Sequence, residues 1–221
     1  MSESPVSVLV VDDHPLFRRG VRQLLDMDDR LVCAGEAADG ETAITYVRDE
    51  APDMVLLDIG MKDMDGLETL RRLRAKDRDT RVIMLTVSDS DEDVIAALRA
   101  GADGYLLKDM EPEALLDRLR EAATGEMVVS ERLGRTLAAA LGGREDDTAA
   151  RLAQLTGREH GILLGMARGL SNKQIAREAA ISEGTVKVHV KSVLRKLGFN
   201  SRVQAAVWAV NRGLARERGG R

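Results

Sequence analysis

Aromatic residues are scarce: two Phe, two Tyr and one Trp in 221 positions. Aliphatic side chains must therefore fill the cores, and little is left to build stacked aromatic platforms for unpaired nucleic-acid bases. Cysteine is scarcer. Cys33 stands alone, so no intramolecular disulfide can form, and its apolar neighbours from Leu31 to Ala34 make it a buried thiol. No apolar run approaches the ~20 residues of a membrane-spanning helix, and Met1 to Ser7 lacks the basic and apolar regions of a secretory signal. We therefore expect a cytoplasmic protein without membrane insertion. There is no glycine-rich nucleotide loop ending in Lys-Ser or Lys-Thr, and His14, His160 and His189 lie too far apart, in unlike surroundings, for a zinc site. No serine or cysteine has a base beside it.

Charge, by contrast, is plentiful and unevenly divided. The net charge is −4, yet residues 151–221 hold 14 Lys and Arg against 4 Asp and Glu, a net of +10, and residues 1–150 hold 19 against 33, a net of −14. One half should seek polyanions and the other repel them. A chain of 221 residues suits two domains.

Four apolar runs in the acidic half stop at chemically loaded residues. Val6 to Val11 ends in Asp12 and Asp13, Met54 to Leu57 in Asp58, Val82 to Leu85 in Thr86, and Tyr105 to Leu107 in Lys108. In an open parallel sheet the carboxyl ends of strands converge on one crevice. Three acids, a hydroxyl and an ammonium gathered there suit a divalent cation and a phosphoryl group. Any one run could end in a merely solvated polar residue; four together point to a site. Between the runs lie amphipathic segments: Pro15 to Met27, with Leu16, Val21, Leu24 and Leu25 on one face, then Gly40 to Arg48, Gly66 to Arg74, Asp91 to Ala100 and Pro112 to Thr124. With Leu31 to Ala34 as a further strand, five strands and five helices make a doubly wound α/β domain over residues 1–128.

Residues 129–150 read as a linker helix and a flexible tether. Ser130 is a candidate cap for a helix carrying Leu133, Leu137 and Leu141, and GREDDTAA from Gly143 to Ala150 is the tether. Residues 151–221 hold only helical signals. Thr156, Ser171 or Asn172, Ser182 and Ser201 are candidate helix starts, and short helix, turn, longer basic helix is the order of a helix-turn-helix. From Ser182 onward, Val186, Val190, Val193, Leu194 and Leu197 share a core face. The opposite face presents Gly184, Val188, Lys191 and Arg195, with Lys187 on its flank. Water alone explains the lysines, but a valine between them suits a thymine methyl in the major groove of double-stranded DNA. Asn172, Lys173 and Arg202, near helix starts, are candidate phosphate contacts. Val203, Ala206, Val207 and Val210 form a stripe that either packs on its own domain or pairs two copies on DNA.

Several strings narrow this reading: VDDHP from Val11, GADGYLLKDMEPE from Gly101 to Glu113, TVKVHVK from Thr185 and AAVW from Ala205. Over nearly its whole length the chain resembles the NarL family of two-component response regulators. The resemblance implies a flavodoxin-like receiver domain, strand order 2-1-3-4-5, and a four-helix DNA-binding domain of LuxR/NarL type. It implies Asp58 as phosphoacceptor for a sensor histidine kinase, and Asp12 and Asp13 holding Mg²⁺ with Asp58 and the Gly60 carbonyl. Lys108 would pair with a phosphoryl oxygen, Thr86 would bond another, and Tyr105 would report the change. Lys187, Val188 and Lys191 match the base-contacting positions. The resemblance also suggests a nitrate or nitrite stimulus, although no residue of the receiver reads as a binder of those ions.

The chain departs from that family at Lys62 and Asp63, where a proline and a small residue are usual, and at Gly157, His160 and Gly161. The expected effects are a looser loop after Asp58, an altered phosphate lifetime and a looser helix start. Phosphorylation is expected to release the basic domain from an acidic receiver and permit dimeric DNA binding. Two rivals stay open: a constitutive DNA-binding regulator with an inert receiver, and an aspartyl-phosphate phosphohydrolase, which Gly60 disfavours because such enzymes need an acid two residues past the nucleophile.

Overall fold

Side chains alternate across a strand, so an unbroken apolar run is stable only in a sheet covered on both faces. The computed structural model describes residues 5–76, 80–87, 90–125 and 148–214. In it β1 (Val6–Val11), β2 (Leu31–Ala37), β3 (Met54–Asp58), β4 (Arg81–Thr86) and β5 (Gly104–Leu107) pair in parallel, in the order β2-β1-β3-β4-β5. Leu9, Val11, Val55, Leu57, Val82 and Met84 face α2 (Gly40–Glu50), α3 (Gly66–Lys76) and α4 (Asp91–Ala100). Val8, Val10, Met54, Leu56, Ile83 and Leu85 face α1 (Pro15–Leu25) and α5 (Pro112–Thr124).

Two details differ from the sequence reading. Leu16 is 83% exposed rather than in the core; Phe17, Val21, Leu24 and Leu25, at spacings of four, seven and eight residues, form the packed stripe of α1. Strand β2 runs on to Ala37 past a register slip at Ala34, where Cys33 pairs with Val8 and Gly35 with Leu9. The polar, glycine-containing end of β2 hides this continuation in the sequence. Cys33 is only partly buried, and burial raises its thiol pKa.

The second unit contains α6 (Thr148–Ala153), α7 (Gly157–Ala167), α8 (Asn172–Ala179), α9 (Glu183–Leu197) and α10 (Arg202–Asn211). Helix α6 begins inside the stretch expected to be tether, and the expected helix bearing Leu133, Leu137 and Leu141 lies outside the described residues. Helices α7 to α10 open on Thr156, Ser171, Ser182 and Ser201, and each hydroxyl accepts the backbone N–H three residues on. The core joins Ile162, Leu163 and Met166 of α7 to Ile175, Val186, Val193, Leu194 and Leu197. Trp208 closes it beside Phe199, ring centroids 5.7 Å apart.

Buried Glu159 ties the start of α7 to the basic helix α9. It accepts from Thr156 N at 2.8 Å, Ser192 Oγ at 2.7 Å and Lys196 Nζ at 2.6 Å. Thr156 and Glu159 thereby close a capping box at the start of α7. The Lys196 ammonium, aided by Thr156 and Ser192, holds the Glu159 carboxyl at about 2, below its usual 4.5. A depressed carboxyl stabilises the fold above its unfolded pKa, and that contribution is lost as pH falls through the folded value. Acid unfolding followed by Trp208 emission should therefore show stability falling between about pH 4.5 and about pH 2. Glu159→Gln should remove that slope and cost about 2 kcal/mol at neutral pH; an unchanged acid profile would show that Glu159 does not carry it.

Candidate functional site

The strand ends of β1, β3 and β5 bring Asp12, Asp58 and Lys108 together. Lys108 Nζ lies 2.6 Å from Asp12 Oδ2 and 2.9 Å from Asp58 Oδ2, and all three side chains are nearly sealed from solvent. Burial pulls the Lys108 pKa down, but the two carboxylates outweigh it and the net shift is upward. The ammonium is thus locked in its charged form. The ring of Phe17 sits under it, 4.8 Å from centroid to Nζ.

Each acid is also held by backbone. Gly60 N–H donates to Asp58 Oδ1 at 3.1 Å, His14 N–H to Asp12 Oδ1 at 2.8 Å, and Lys62 N–H reaches Asp13 Oδ2 at 3.4 Å. Arg18 Nη1 donates to the Asp12 carbonyl at 2.6 Å and so ties α1 to the end of β1. The loop after Asp58 turns through Asp63 at φ +66°, a left-handed conformation that Asp tolerates better than most side chains. The loop then passes so close to the strand that a Cβ on Gly66 would stand 2.1 Å from the Asp58 carbonyl oxygen.

Ligand atoms of Asp12, Asp13, His14 and Asp58 all lie within 4.8 Å of one another. Asp13 Oδ1 is buried and makes no well-angled hydrogen bond, with the His14 ring nitrogen 2.8 Å away. Three carboxylates with a spare buried oxygen form a donor set that could hold a hard divalent cation. His14 lines this pocket, and its side chain does not cap α1. Thr86 is buried at the end of β4, its carbonyl accepting Lys108 N–H at 2.7 Å. Tyr105 is buried in the cluster that includes Val94, Ala97 and Leu98 of α4. Phe17 and Arg18 escaped the sequence reading, although the spacing of Phe17 to Val21 and Leu24 is a signal that could have found the first.

In the helical unit Lys187, Val188, Lys191 and Arg195 are exposed on α9, Val188 by 67%. They do not face open solvent throughout. Lys187, Val188 and Lys191 form one wall of a cavity of about 710 Å³ whose other wall includes Arg48, Arg72, Lys76 and Asp53. A duplex, with a major groove about 12 Å wide, does not fit that space. Lys173 is exposed, whereas Asn172 and Arg202 are buried. Arg202 donates to Asn172 Oδ1 at 3.2 Å and to the Leu170 carbonyl at 2.8 Å, and a Cβ on Gly125 would stand 2.7 Å from its Nη1. In this arrangement those two residues are turned toward the end of α5.

The apolar stripe of α10 divides. Val203 and Val207 join the α/β core cluster beside Ala97, Leu98 and Ala102, Ala206 joins its own helical core, and Val210 is 47% exposed. The half-and-half charge division is not what meets at the groove: among the described residues its α/β wall carries Arg48, Arg72, Lys76 and Arg81 beside Asp53 and Asp103.

Residues 8–120 match the family described as response regulator receiver domain, and residues 153–209 match the bacterial regulatory proteins of the luxR family. The nitrate/nitrite response regulator protein NarL of Escherichia coli K12 is 50% identical over 94% of this chain and 96% of its own length. The nitrate/nitrite response regulator protein NarP of the same organism is 49% identical over 92% and 94%. The crystal structure of response regulator ChrA from a haem-sensing two-component system is 34% identical, covers 96% of this chain and 100% of its own, and has a TM-score of 0.50.

Removing the shared ammonium should expose the charge conflict it resolves. In metal-free buffer Lys108→Ala should cost about 3 kcal/mol in urea unfolding, because two buried carboxylates lose their counter-charge. A divalent cation, or Asp58→Asn on top, should restore most of it. If neither restores it, the carboxylates do not share the ammonium energetically.

Proposed function

Because the chain belongs to the response-regulator family, a receiver joined to a luxR-type DNA-binding domain that controls transcription in a two-component system, we propose that a sensor histidine kinase phosphorylates Asp58. Phosphorylation then frees α9 for double-stranded DNA. The convergence of Asp12, Asp13, Asp58 and Lys108 at one end of the sheet carries this reading. Residues 1–128 are assigned to the receiver, 129–150 to the connection, whose last residues start α6, and 151–221 to the output domain.

Asp12, Asp13 and Asp58, with the Gly60 carbonyl, would hold Mg²⁺, whose charge offsets repulsion between a carboxylate nucleophile and an anionic phosphoryl group. The Asp58 carboxylate forms the new O–P bond as the kinase histidine's N–P bond breaks. Lys108 then exchanges Asp58 for a phosphoryl oxygen while keeping Asp12. The Thr86 hydroxyl bonds a second oxygen, and Tyr105, packed against α4, passes the change to that helix. Beyond accepting the group and slowly losing it by hydrolysis, the chain performs no catalysis. Lys62, exposed beside the site, is positioned to alter that lifetime.

The output reading rests on Lys187, Val188 and Lys191 for base edges, with Arg195, Lys173, Asn172 and Arg202 for the backbone. Asn172 and Arg202 become available only when the domains part. The same holds for dimerisation through Val203, Ala206, Val207 and Val210, because two of these valines are covered by the receiver. The unphosphorylated chain is therefore self-masked. The kinship with nitrate/nitrite regulators favours that stimulus, sensed by the kinase while this protein acts in the cytoplasm.

Sedimentation and DNA binding with Mg²⁺, before and after beryllofluoride, test this. A switch to dimer with roughly tenfold tighter binding, equivalent to ~1.4 kcal/mol of docking free energy, is expected, and Asp58→Ala should abolish it. No change in either readout would leave an inert receiver and a constitutive regulator.

A further inference from the structure

The pattern Ser-x-x-Gln opens two output helices, Ser171 to Gln174 and Ser201 to Gln204, and the two glutamines end differently. Gln174 folds back, its Oε1 accepting Ser171 N–H at 2.7 Å to close a capping box. Gln204 leaves the box open. Its Oε1 accepts Asn200 N–H at 2.9 Å, and its Nε2 crosses to the receiver, donating to the carbonyls of Leu98 at 2.7 Å and Arg99 at 3.0 Å. Those carbonyls lie in the last turn of α4; the Leu98 carbonyl also accepts the Gly101 N–H of the helix's own glycine cap at 3.1 Å, and Gln204 supplies a further donor to it and one to Arg99. One buried amide thus serves the start of α10 and the end of α4, the negative end of one helix dipole against the positive end of the other.

The surroundings hold the two helix ends in register. Val203 and Val207 flank Gln204 and pack in the receiver cluster with Ala97 and Leu98. Gly101, at φ +108°, lets Asn200 approach so closely that a Cβ there would stand 2.9 Å from the Asn200 Cβ. Arg74 fixes that turn, donating to the Gly101 carbonyl at 2.9 Å and pairing with Asp103 at 2.6 Å.

We propose that Gln204 is the latch of the masked state, an added donor that the output domain brings to the glycine-capped end of α4. Valine contacts tolerate sliding, but hydrogen bonds do not. A shift of α4 by about 1 Å, the scale of helix movements in switching proteins, stretches both bonds and strands a buried amide. Docking is therefore conditional on the position of the last turn of α4, which shares its cluster with Tyr105. The inference rests on the proposal that the receiver masks α9.

Gln204→Glu separates the latch from local stability. At the third position of α10 a carboxylate keeps the acceptor for Asn200 N–H and suits the helix start, but it faces two carbonyls with no proton to give. Gln204→Met, of similar size without donors, is the second variant. Docking is read by energy transfer from Trp208, the only tryptophan, to an acceptor on Glu50→Cys in a Cys33→Ser background. DNA affinity is read on a random-sequence duplex at low salt. In the unphosphorylated full-length protein both variants should lose transfer and bind at least tenfold more tightly than the parent, with beryllofluoride adding little. Opening without tighter binding would uphold the latch and refute masking. Transfer unchanged in both variants, with Trp208 emission showing a folded output core, would overturn the latch.

Discussion

One ammonium group holds the receiver site together. Lys108 sits between Asp12 and Asp58, which the parallel sheet forces into the same crevice, and without a shared cation those acids would oppose the packing that positions them. Its raised pKa is the sign that the pairings outweigh burial. Asp58 divides its oxygens, Oδ1 on the Gly60 N–H and Oδ2 on Lys108, so under the proposed phosphorylation only the Oδ2 pairing would have to give way.

Helix α4 packs on two sides, against the receiver core and against the output domain. Its inner side packs with Tyr105, and its final carbonyls and outer side accept Gln204, Val203 and Val207. On the proposed reading, a helix that packs in the receiver core and accepts a donor from the output domain cannot keep both sets of contacts if it moves. The receiver and output domain are thus matched at helix ends and along a short apolar seam, rather than by the broad acid and base division of the chain.

The output domain relies on repetition of one local device. Thr156, Ser171, Ser182 and Ser201 each start a helix in the same way, so the backbone path of the bundle is specified largely by neighbours in sequence. Glu159 then converts one local cap into a tertiary anchor through Ser192 and Lys196, which fixes how α9 is presented.

Much of this was determined by sequence. Strand runs ending in Asp12, Asp58, Thr86 and Lys108, the N-caps, and the opposite faces of α9 follow from periodicity and local hydrogen bonding, which short segments encode by themselves. The placement of Phe17 over Leu16, the continuation of β2 through Ala37 and the buried state of Asn172 and Arg202 did not follow, because each depends on what another element presents. Gln204 makes the distinction sharpest. Its sequence pattern equals that of Gln174, and only the nearness of the end of α4 turns one amide into a local cap and the other into a bond between domains. Local chemistry specified the helices and the charged crevice; the tertiary structure decided which valines and amides were left to join the two halves, since burial against a distant segment has no signature in the segment itself.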